Sequence, residues 1–207
     1  MEITLNDIGR RYNSEWIFRH INYRFESGKS YAVLGQNGSG KSTLLKVLSG
    51  SLSPSQGELL YTMGTNTISI DAVYQELSIA APYIELIEEF TLRELIDFHF
   101  RFKSYLQGFD KARVLNLLGL ASALDKEIKH FSSGMRQRVK LVLACCSDSK
   151  LVLLDEPTSN LDSEGEEWYL DLIDRTKLDF RLFIICSNQK KEYEFCDETI
   201  SIADFKK

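Results

Sequence analysis

Residues 35–43 read Gly-Gln-Asn-Gly-Ser-Gly-Lys-Ser-Thr, a glycine-rich turn that ends in a lysine and two hydroxyls. Gly35, Gly38 and Gly40 allow the backbone to curl until its N–H groups converge on phosphate oxygens. A helix beginning near Lys41 adds its positive N-terminal end. Lys41 can then neutralise β- and γ-phosphates, and Ser42 can offer a hydroxyl to Mg²⁺. Gln36, Asn37, Ser39 and Thr43 complete the loop. A second set of groups closes the apolar run "KLVLLDE", residues 150–156, with Asp155 and Glu156. Carboxylates at the end of a buried strand are costly unless they have a partner. A metal ion and an attacking water are natural ones. Asp155 would hold the metal, directly or through water, and Glu156 would polarise the water.

These groups need elements to position them. "YAVLG", residues 31–35, reads as a short buried strand feeding the loop, and "KSTLLKVLSG" as a helix stopped by Gly50. Before them Ile3, Leu5, Ile17, Ile21, Tyr23 and Phe25 alternate with polar residues, which is strand periodicity. "PSQGELLY" and "TISIDAVYQ" read as a turn and two further strands. From Thr91 to about Cys146 the apolar spacing becomes helical. Beyond it strands and helices alternate through "RLFIICS" and "ETISI". That pattern predicts an α/β core carrying a helical insertion.

Composition narrows the partners. The 207 residues carry a net charge of −5 and 43% hydrophobic residues. An acidic chain lacks the basic face that nucleic acid requires. Cys145, Cys146, Cys186 and Cys196 have no metal-ligand spacing and read as core thiols. No apolar run approaches the roughly 18 residues of a membrane span, and the start of the chain has no apolar signal core. The expectation is a soluble, cytoplasmic protein.

A third motif, "FSSGMRQRVKLVLA" at 131–144, lies shortly before the acidic strand. It resembles the signature motif of the ATP-binding-cassette (ABC) ATPases, Leu-Ser-Gly-Gly-Gln followed by an arginine-rich helix start. Ser132 and Gly134 match, whereas Ser133 and Met135 depart from it. The order of phosphate loop, signature and "LLDEPTSNLD" is similar to that family from about Ile3 to Ile202. The resemblance implies an α/β fold: a P-loop NTPase core with an N-terminal antiparallel β subdomain and an α-helical subdomain inserted at about 76–147. Residues 1–207 would form one ABC ATPase domain.

The same resemblance implies ATP and Mg²⁺ as cofactors, and a set of roles. Tyr12 looks like the aromatic that stacks on adenine, with Trp16 as a substitute. Gln75 looks like the glutamine that touches Mg²⁺ or the attacking water. Ser42, Gln75 and Asp155 would form the metal set. Ser159 and Asp162 belong to a loop like the one that crosses between subunits. Ser132, Ser133, Gly134 and Met135 would close over the ATP of a second, head-to-tail ATPase subunit. Family members usually carry a histidine after the strand that ends "IIC". Asn188 aligns there, with Gln189 one residue on, and the replacement implies slow hydrolysis. Two functions remain open. One is the ATP-hydrolysing subunit of a membrane transporter of the compact, exporter type. It would sit on the inner face of the membrane and dock a separate multi-span subunit along 77–90. The other is a slow ATP-dependent clamp or regulatory module acting on a soluble partner.

Overall fold

The computed structural model describes residues 1–206. Its first layer is an antiparallel sheet of β1 (Glu2–Tyr12), β2 (Glu15–Phe25), β4 (Gln56–Met63) and β5 (Asn66–Ile68), in the order β2-β1-β4-β5. The second is a parallel sheet of β3 (Ser30–Leu34), β6 (Leu77–Ala80), β7 (Leu151–Asp155), β8 (Leu182–Ser187) and β9 (Glu198–Ser201), in the order β6-β7-β8-β3-β9. Helix α1 (Lys41–Leu48) follows β3. The helical part comprises α2 (Leu92–Phe102), α3 (Lys111–Leu118) and α4 (Ser133–Cys145). α5 (Ser163–Thr176) and the short α6 (Lys190–Tyr193) complete the fold.

The parallel strands read as unbroken apolar runs because both faces are buried. Leu151, Leu153, Leu182 and Ile184 face the core shared with α1 and the antiparallel sheet. Val152, Leu154, Phe183 and Ile185 face the core shared with the helical part and α5. The period of two along each strand thus divides one run between two cores.

Helix starts follow side-chain chemistry. Thr91 and Glu94 form a capping box on α2, and Ser132 and Asp162 cap α4 and α5 through Met135 N–H and Gly165 N–H. Arg181 is buried at the start of β8 and donates to the carbonyls of Cys145, Thr176, Ser147 and Ser149. Its charge therefore sits against the negative C-terminal ends of α4 and α5 and joins both helices to the sheet.

Two boundaries differ from the sequence expectation. The insertion begins after Ala80, not near residue 76, because Leu77–Ala80 pair with Leu151–Leu154 in the parallel sheet. "AVYQ" is no strand: Val73–Gln75 make one 3₁₀ turn, and β5 stops at Ile68. No helix among the described residues is long and apolar enough to cross a membrane.

Candidate nucleotide site

The site lies off the C-terminal ends of the parallel strands, where loops of an α/β sheet converge. β3 releases the chain at Leu34 and α1 takes it up at Lys41. Gly40 caps α1 at φ 109°, and a Cβ there would lie 2.6 Å from the Ile17 side chain. Only glycine meets both conditions. The Lys41 side chain is buried, and its ammonium donates to the carbonyls of Gly35 at 2.7 Å and Gln36 at 3.3 Å. The Ser39 hydroxyl is buried without a partner. Residues 37–43, Glu156 and Ile17 line a cavity of about 330 Å³. An unpaired hydroxyl and a lysine held only by loop carbonyls are groups that phosphate oxygens would satisfy. Ile17 was not singled out in the sequence, since its place in an alternating strand reads as core.

Asp155 ends β7 at 1% exposure. Burial pushes its carboxyl pKa up, while a hydrogen bond with Ser42 and the charge of Lys41 oppose that. Its Oδ1 is buried with no partner. An orphaned carboxylate oxygen beside a serine hydroxyl fits a divalent cation that keeps most of its water, as Mg²⁺ does. Glu156 follows at φ 47°, and its N–H donates to the Cys186 carbonyl at 2.9 Å. A left-handed conformation at a non-glycine residue costs about 1–2 kcal/mol. Here it turns the chain off the strand, and the residue joins the cavity wall.

β8 lies between β7 and β3, with Cys186 opposite Asp155 and Ser187 opposite Leu34. Asn188 therefore emerges beside the phosphate loop, and its amide donates to Asn37 Oδ1 at 3.1 Å. Gln189 makes no side-chain cap on α6. The histidines are elsewhere. His20 pairs with Asp7, and His130 is exposed near Glu127. His99 bonds Ser147, and burial lowers its pKa to about 4.

Gln75 is a correction. It precedes β6, whereas Asp155 and the phosphate loop lie beyond the other end of the sheet. The strand alone separates them by about 10 Å. The Gln75 side-chain amide donates to the Tyr74 hydroxyl, and the Gln75 backbone carbonyl accepts from Lys103. It is removed from both the catalytic and the metal sets. The chain leaves β6 at Ala81-Pro82-Tyr83 instead. The Tyr83 ring lies 4.2 Å from the Lys46 ammonium of α1. Burial, with the Asp155 carboxylate and Cys186 nearby, raises its phenol pKa well above the ordinary value. The end of β6 thus brings Tyr83 toward α1 and Asp155, outside the lining of the phosphate-loop cavity, and no glutamine pattern marked it.

Ser132, Ser133, Gly134 and Met135 gather with Asn160, Leu161 and Asp162 around a separate cavity of about 350 Å³. Its lining shares no residue with that of the phosphate-loop cavity. Gly134 packs so close to the Asn160 carbonyl that a Cβ would lie 3.0 Å from it. The Ser159 hydroxyl is buried without a partner. Tyr12 is 47% exposed at the β1–β2 turn with the Arg10 guanidinium over its ring, and so is not a core tyrosine. It does not line the phosphate-loop cavity. Trp16 lies between Arg11 and Arg19.

Comparison with known proteins gives one family. The family described as ABC transporter matches residues 18–159. The energy-coupling factor transporter ATP-binding protein EcfA1 of Thermotoga maritima is 29% identical, over 96% of this chain and 76% of that protein. Among solved structures, a putative ABC transporter ATP-binding protein from Pyrococcus furiosus superposes with a TM-score of 0.83 at 22% identity, covering 99% of both chains. A dimeric structure of MJ0796, a bacterial ABC transporter cassette, gives 0.81 at 19% identity over 97% and 94%. These two likenesses establish the shared fold: a P-loop α/β core with an N-terminal antiparallel sheet and an inserted helical part. With the match covering most of the chain and the motifs in their order, this protein belongs to the ABC transporter family, as one of its ATP-binding-cassette ATPases.

Proposed function

We propose that the chain binds and hydrolyses ATP as the nucleotide-binding subunit of a membrane transporter. The observation that carries this is the gathering of Lys41, Ser42, Asp155, Glu156 and Asn188 at one end of the parallel sheet, around a cavity walled by residues 37–43. Gly35, Gln36, Asn37, Gly38, Ser39, Gly40, Lys41, Ser42 and Thr43 bind the phosphates through backbone N–H groups, the α1 N-terminus and the lysine. Ser42 and Asp155 hold Mg²⁺, which when bound neutralises phosphate charge. Glu156 accepts the proton of the attacking water. Asn188 donates to the γ-phosphate in place of an imidazole. Tyr12 stacks on the base.

The signature cavity has a lining distinct from that of the phosphate loop, which supports its serving a different ATP. Ser132, Ser133, Gly134 and Met135 therefore act on the ATP of a second subunit, with Ser159 and Asp162 at the crossing. The dimer of the similar MJ0796 cassette supports this arrangement. A groove of about 400 Å³, lined by Ile79, Ile84, Leu86, Ile87, Phe98 and Phe102, supports docking of a separate multi-span subunit at the inner membrane face. Exporter type is part of the proposal, on the sequence resemblance alone, and uptake into inverted vesicles decides direction.

A fluorescent ATP analogue titrated into wild type and Lys41→Ala tests the reading. Loss of the charge-assisted bonds is expected to weaken binding by about ten- to a hundredfold. Equal affinities would overturn the nucleotide site.

A further inference from the structure

Glu192 is a charged side chain at 1% exposure that the chemistry above does not use. Its Oε1 accepts from the Thr158 N–H at 2.8 Å and from the Thr158 hydroxyl at 2.5 Å. Its Oε2 accepts from the Ser187 hydroxyl. A buried carboxylate with donors on both oxygens makes strong, directional bonds and is costly to leave without them. Its own carbonyl accepts from the Tyr169 hydroxyl at 3.0 Å, which anchors the residue to α5.

The two partners are informative. Thr158 lies two residues after Glu156 and one before Ser159. Ser187 lies one residue before Asn188. One carboxylate therefore joins the turn carrying the water-polarising glutamate to the turn carrying the γ-phosphate amide. The first turn is held from another side too, since Gln137 of the signature helix, itself buried, donates to the Pro157 carbonyl at 2.8 Å.

We propose that Glu192 is a positioning residue. It couples occupancy at Asn188 to the geometry of Glu156 and of the Ser159–Asp162 loop, through Ser187 on one side and Thr158 on the other. The proposal rests on the nucleotide-site reading. Phosphate affinity is expected to change little when the clamp is cut, because the Lys41 ammonium bonds only the loop carbonyls and the loop meets the Ser187 turn through the single Asn188–Asn37 side-chain bond, not through Glu192.

The test compares wild type, Glu192→Gln and Glu192→Ala. Glutamine can still accept from Thr158 and can donate to the Ser187 oxygen, so it should rescue; alanine can do neither. Hydrogen–deuterium exchange is followed with and without a non-hydrolysable ATP analogue and Mg²⁺. In wild type and Glu192→Gln the analogue should slow exchange both at 35–43 and at 158–162. In Glu192→Ala protection should persist at 35–43 and vanish at 158–162, and turnover should fall about tenfold or more with nucleotide affinity within about twofold. Protection at both segments in Glu192→Ala, loss of both together, or none at 158–162 in wild type would overturn the proposal. No protection at 35–43 in wild type would instead overturn the nucleotide site. Ser187→Ala, which removes only the Oε2 donor, serves if Glu192→Ala does not fold, and should weaken protection at 158–162 in the same direction; unchanged protection there overturns the clamp.

Discussion

At the scale of residues, Asn188 carries the sharpest consequence. Its amide already reaches the phosphate loop through Asn37. As a short, neutral donor it gives up part of the roughly 1.5–3 kcal/mol of a hydrogen bond to a charged group. Turnover should therefore be slow, and Asn188→His should raise it by about tenfold where the imidazole fits. Asn188→Ala should fall below wild type with ATP affinity little changed. Steady-state turnover under saturating Mg-ATP checks both, and equal rates for Asn188→Ala and wild type would return Asn188 to a plain loop residue. The groups readable from sequence were those whose meaning is local. Lys41, Ser42, Asp155 and Glu156 are fixed by spacing within one loop or one strand end. Glu192 and Tyr83 were not readable, because their contacts are with residues of other elements, Thr158 and Ser187 for Glu192 and Lys46 for Tyr83. Gln75 misled for the converse reason. An apolar pair followed by a glutamine imitates a strand end, and only pairing with β7 shows that the strand is Leu77–Ala80.

At the scale of elements, the strands around the phosphate loop and the helical spacing after Thr91 followed from periodicity, whereas "AVYQ" did not form the strand expected of it. Nor did the division of the helical part follow from periodicity. Its start is set by the contact of β6 with β7, which no local pattern encodes. Arg181 is similar: a lone arginine before an apolar strand gives no sign that it will hold the ends of two helices. The segment after β6 and helix α2 together form the apolar groove, and Phe102 on its rim is 75% exposed. A rim residue with so little burial contributes little to folding. Phe102→Glu should therefore leave nucleotide affinity and thermal unfolding nearly unchanged while reducing recovery of the chain with membranes from its host. Recovery equal to wild type would remove this groove as the docking face.

For the whole molecule, the decisive feature is separation. The phosphate-loop cavity and the signature cavity are lined by different residues, and in the proposed function each is one half of a site shared with a second subunit. A second copy or a related cassette placed head to tail would complete both. Glu156→Gln removes the carboxylate to which the proposed function assigns the attacking water and keeps the residue's size, so ATP should persist between the two chains. Sedimentation velocity of Glu156→Gln, with and without Mg-ATP, tests this most directly. The account predicts a monomer without nucleotide and a dimer with Mg-ATP that reverts when Lys41→Ala is added. A monomer at every ATP and protein concentration, or a dimer indifferent to nucleotide, would contradict it.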